Sequence, residues 1–89
     1  MRWDIELRPR AEARLTFPEE GHFGYGVSSV EGNDRQTGTI TVDNQASTSG
    51  VNVILILEGG LEPVNVTIKA HRSVIWKNRR NETVRFFSL

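Results

Sequence analysis

No cysteine occurs among the 89 residues of this chain, which removes disulfide staples, thiolate metal sites and cysteine nucleophiles together. Long apolar runs are missing too. The longest, Val53–Leu57, falls far short of the roughly 20 residues that a membrane-crossing helix needs. The first ten residues, MRWDIELRPR, are charged throughout and lack the apolar stretch of a secretory signal, so we expect a protein of the cytoplasm or of a virion with no membrane partner. An excess of one charge sign is also absent. Eleven basic residues balance eleven acidic ones, so the chain as a whole has no polyelectrolyte signature for nucleic acid or anionic lipid. Nor does any segment repeat apolar residues at spacings of three, four and seven between caps, and almost no helix is expected.

What is there is period-two alternation. Trp3, Ile5, Leu7, Pro9, Ala11, Ala13, Leu15 and Phe17 hold the odd positions while charged residues hold most of the even ones, the pattern of a half-buried strand. Proline cannot donate to a strand ladder, so the pattern marks either an edge strand or two strands bent at Pro9. Residues 1–9 read accordingly as an arm or an edge strand. Phe23, Tyr25 and Val27 share one face with Gly24 and Gly26 between them, and Thr39–Val42 is a short β-branched strand. Val53–Leu57 is apolar on both faces, which predicts cover on both sides. Val64, Val66, Ile68 and Ala70 alternate with polar residues, then Val74 and Trp76 lead into a last strand over 83–89. The length supports one domain, 1–89. The fold expected is all-β: a small Greek-key or jelly-roll-like β-sandwich of about seven to eight strands with little or no helix.

The block PVNVTIKAHRSVIWKNRRNETVRF, Pro63 to Phe86, resembles the strand-turn-strand run V-x-I-K-A-G-D-x-V-x-W-x-N of cupredoxins through Val66, Ile68, Lys69, Ala70, Val74, Trp76 and Asn78. The resemblance covers about a quarter of the chain and implies a Greek-key sandwich. It does not carry the copper. The family's first histidine ligand falls near Thr83, and a blue-copper centre takes two imidazoles and a thiolate, whereas this chain has His22, His71, Met1 and no cysteine. His22 and His71 have no second ligand at short spacing, so neither a metal nor another cofactor is expected.

Charge is uneven along the chain. Residues 15–62 carry one arginine against seven acids, and residues 63–89 carry six bases against Glu82. Arg72, Lys77, Arg79, Arg80 and Arg85 cluster in sequence around one turn, near Trp76 and Phe86, and form a candidate polyanion-binding hairpin over 72–85. The alternative for that turn is a solvated tip whose charges discourage edge pairing. HFGYGV resembles the aromatic runs on which RNA bases stack, but Glu19, Glu20 and Glu31 flank it and repel phosphate. Asn65 and Asn81 begin N-x-T triplets, about as many as chance supplies, and no export signal accompanies them.

No nucleophile–base set or phosphate-cradling glycine loop is present, so no catalytic residue is assigned and an enzyme is not expected. The terminal FFSL places Phe87 and Leu89 opposite the core-facing Phe86, and apolar termini fray unless they dock. Phe87 and Leu89, with Trp3, Ile5 and Leu7 of the first strand, are the expected oligomer interface. The leading expectation is a structural module that binds copies of itself in a larger assembly, such as a capsid-decorating or tail component of a virion. Nucleic-acid or polyanion binding through the hairpin 72–85 is the alternative.

Overall fold

The computed structural model describes residues 2–32, 34–45 and 52–89; the loop expected over 43–50 lies largely outside them. Nine strands run through the described residues without a helix: β1 (Asp4–Leu7), β2 (Glu12–Phe17), β3 (Gly21–Ser29), β4 (Arg35–Val42), β5 (Val53–Leu57), β6 (Gly60–Glu62), β7 (Val66–Ile68), β8 (Arg72–Asn78) and β9 (Val84–Ser88). They sort into two sheets, ordered β1-β9-β3-β4-β7 and β2-β8-β5-β6. The all-β sandwich expected from the alternation is present, with nine strands where seven or eight were counted. The additional strands come from the break at Pro9 and from the three-residue strand β6.

Proline decides the first of these. Around it Ala11 N–H donates to Arg8 O at 3.0 Å, and Arg10 takes a left-handed φ of 72° while its N–H reaches Asn78 O at 3.0 Å. This turn moves the chain from one sheet to the other, so that β1 and β2 are edge strands of different sheets. Because the alternation continues through the turn, odd-numbered residues face the core in both strands. His71 turns β7 into β8 with a left-handed φ of 68°.

Between the sheets lies an aromatic core. Trp76 of β8 and Phe86 of β9 meet with ring centroids 4.4 Å apart, and Tyr25 of β3 stands edge-on to Trp76 at 5.4 Å. Phe17 of β2 packs on Phe23 of β3 at 5.3 Å. Tyr25 is fully buried and needs an acceptor. It finds Val64 O at 2.7 Å, and burial pushes its phenol up to about 12, so the group remains a donor at neutral pH. Gly38 of β4 makes room for that bond. A Cβ on Gly38 would lie 2.2 Å from Val64 O and 2.6 Å from the Tyr25 hydroxyl, whereas one on Gly59 meets nothing within 4 Å.

Gly38→Ala is therefore expected to lower stability by on the order of 2–4 kcal/mol, through overpacking and loss of a buried hydrogen bond. Gly59→Ala serves as the neutral control, within about 0.5 kcal/mol. Urea unfolding of both variants checks the contrast.

Candidate functional site

The structure separates the five cations of the candidate hairpin. Arg72 opens β8 and Arg79 follows its end, about 20 Å away at the rise of a β-strand. Lys77 lies on the outer face of its sheet, 3.8 Å from Glu12. Arg85 lies on the outer face of the other sheet, where Nε donates to Asp4 at 2.9 Å and Nη2 makes a second bond to the same carboxylate, holding that carboxyl below its ordinary value. Arg80 is 1% exposed.

Arg80 is inside because the turn after β8 is folded around polar groups rather than apolar ones. Asn78 faces inward from β8, where its Nδ2 donates to Leu7 O and Glu82 O, both at 2.9 Å, and its Oδ1 accepts from Arg80 N–H at 2.9 Å. Arg80 Nε then donates to Leu57 O at 2.8 Å, and Nη1 donates to Asp34 Oδ2 at 2.7 Å and lies 3.6 Å from Glu82. Ser29 completes the knot, with its N–H on Asp34 Oδ1 at 3.0 Å and its hydroxyl bonded to Glu82. Ser29 first, and Arg80 after it, hold the Asp34 carboxyl down at about 2. Asn78, Asp34, Ser29 and Glu82 were not singled out as a group by the sequence. The available signal was a turn rich in Asn and Arg immediately after a buried strand.

The residues expected at an oligomer interface are mostly engaged within the chain. Leu7 is 3% exposed in the core, and Trp3 and Ile5 pack against it. Trp3 sits 5.5 Å from Phe86 and is tied to Ser88 through its backbone N–H and carbonyl. Phe87 lies over Gly26, with the Arg35 guanidinium 5.4 Å from its ring centroid. Leu89 covers Gly24 but is 62% exposed. The odd residues of β1 are drawn inward because the strand closes the aromatic end of the sandwich.

An apolar surface appears elsewhere, on the outer face of the sheet β2-β8-β5-β6. Ile54 and Ile56 of β5 enter the core, while Val53, Leu55 and Leu57 point outward and are half-buried, as is Ile75 of β8. Register aligns them in rows across the sheet. One row reads Arg14, Ile75, Val53, and the next reads Glu12, Lys77, Leu55, Glu62. The two apolar faces of β5 were legible; the second was expected to be covered, and no described residue layers over it. Ile75, between core-facing Val74 and Trp76, was the signal that the strip extends to β8.

Other chemistry is sparse among the described residues. His22 lies 3.2 Å from the Thr41 hydroxyl and His71 sits in its turn, and no group of three His, Cys, Asp or Glu could hold a metal ion. A hollow of about 420 Å³ is lined by Glu6, Val30, Glu31, Asn81, Glu82 and Thr83, a setting that repels phosphate. No helix among the described residues is long and apolar enough to cross a membrane. Compared with known proteins, the chain matches no family model, no curated protein and no solved structure.

Two neighbouring arginines should therefore behave oppositely. Arg80→Ala is expected to cost about 3 kcal/mol, because it strands Leu57 O and opens a void, whereas Arg79→Ala stays within about 0.5 kcal/mol; urea midpoints decide. A pH titration of stability tests the acid side of the knot. Asp34 is depressed from its ordinary 3.8 to about 2, so its contribution is complete well above 3.8 and is lost as pH falls through about 2. Asp34→Asn should flatten the stability curve in that window and leave the slope above pH 5 unchanged.

Proposed function

We propose that this domain is a non-enzymatic structural module that associates with copies of itself as a building block of a larger assembly. The observation that carries the reading is the apolar strip Val53, Leu55, Leu57 and Ile75 on the outer face of a sheet. On a solvated outer sheet face these positions are ordinarily polar. A contiguous apolar patch rimmed by charges marks a protein contact. A capsid-decorating or tail role is the finer form of this reading and draws on architecture.

Polyanion binding through the hairpin 72–85 has less support. Arg80 is buried, Arg85 and Lys77 are paired with Asp4 and Glu12 on opposite outer faces, and Arg72 and Arg79 stand at opposite ends of β8. Cations so dispersed do not share one phosphate backbone.

Sedimentation equilibrium over a wide concentration range, at low and high salt, tests the proposal. A discrete oligomer that persists at high salt is the expected result, since apolar burial is insensitive to ionic screening while exposed ion pairs are not. A chain that stays monomeric throughout contradicts it.

A further inference from the structure

The geometry points to one mode of association, in which two copies stack the outer faces of β2-β8-β5-β6 against each other about a two-fold axis that crosses the strands between the Arg14 and Glu12 rows. This inference rests on the reading that the domain self-associates, and it names the surface and the partner: a second copy of this chain.

The charge pattern selects that partner. Arg14 and Glu12 are both exposed on the outer face of β2, two residues apart, while Ala13 and Leu15 pack inward. Their rows are separated by about 6.6 Å, twice the rise per strand residue. A two-fold axis lying across the strands midway between the rows exchanges them. It sets Arg14 of each copy over Glu12 of the other, and it does so twice. The same operation lays Val53 over Leu55 of the partner and Ile75 over the methylene stem of Lys77, whose ammonium stays with Glu12. Thus over β2 and β5 one rotation matches positive to negative and apolar to apolar, the self-complementarity that an isologous contact requires. Sheets stacked face to face lie about 10 Å apart, a gap that arginine and glutamate side chains span together.

Edge-to-edge pairing has less in its favour. Extending the sheet through β2 leaves the strip over β5 and Ile75 uncovered, so it does not remove the feature that calls for a partner. A face of four short strands lies at the small end of interface sizes, so the dimer is sought over a wide concentration range.

The experiment compares the dimer dissociation constants of the full chain and four variants by sedimentation equilibrium, with a thermal melt of each to confirm folding. Leu55→Glu, at the centre of the strip, is expected to abolish the dimer. Arg14→Glu sits at the exposed rim, leaves the fold intact and sets like charges together at both symmetric contacts; it should weaken the dimer by roughly tenfold or more. Glu12→Arg should do the same. The double swap Glu12→Arg with Arg14→Glu restores opposite charges across the two-fold axis and should recover most of the loss. A wild-type oligomer that none of these variants weakens overturns the stacked-face mode while leaving self-association standing. Loss in the single variants without recovery in the double swap overturns the two-fold pairing. A wild-type monomer at every concentration removes both this inference and the reading beneath it.

Discussion

Buried polar groups must find partners, and in this domain the requirement falls on Asn78 and Arg80. Through their side chains these two residues join the end of β1 at Leu7, the end of β5 at Leu57, the β3–β4 connection at Ser29 and Asp34, and the turn at Glu82. The backbone of Asn78 adds the β1–β2 turn, accepting from Arg10 and donating to Ala11. Segments far apart in sequence meet at one end of the sandwich with no disulfide to fix them there. A domain of this size has a small core to spend on stability, so a largely satisfied polar knot substitutes for a staple. The arrangement costs desolvation of a guanidinium, and Arg80 Nη2 has no partner among the described residues.

The same constraint bears on function. Drawing Arg80 inward and pairing Arg85 and Lys77 on separate faces leaves the turn without a concentrated positive surface. Covering Gly24 and Gly26 with Leu89 and Phe87 largely occupies the outer face of the other sheet at its centre. Among the described residues, a half-buried apolar strip then remains on the outer face of β5 and β8, flanked by Arg14, Glu12 and Glu62. The proposed assembly through that face would supply to β5 the second layer that its sequence implies.

Much of the architecture was legible. The alternation from Trp3 to Phe17 marked a half-buried strand pattern, Pro9 left it open as one edge strand or two bent ones, and Phe86 against Phe87 gave the facing of β9. Strand partners were not legible, because the parallel pairings β4–β7 and β5–β8 join strands distant in the chain, and alternation says which face is buried but not against whom. The basic turn misled for a related reason. Arg79 and Arg80 are identical as letters, and only the hydrogen-bonding demand of Leu57 O and Asp34 distinguishes the one that is buried. Trp3, Ile5 and Leu7 were correctly read as an apolar face; whether such a face meets the chain's own core or another molecule depends on where an edge strand docks. Val53–Leu57 shows the converse, a doubly apolar strand whose outer side no described residue layers over.

Hydrogen exchange of the Asn78 side-chain amide and the Arg80 Nε–H, followed by NMR beside the Trp76 backbone amide, tests most directly whether the polar knot holds the sandwich together. If it does, all three exchange only through global opening, with matching protection. Side-chain protons at Asn78 and Arg80 that exchange far faster than the Trp76 amide would show the turn opening while the sandwich stays closed, and would contradict the account.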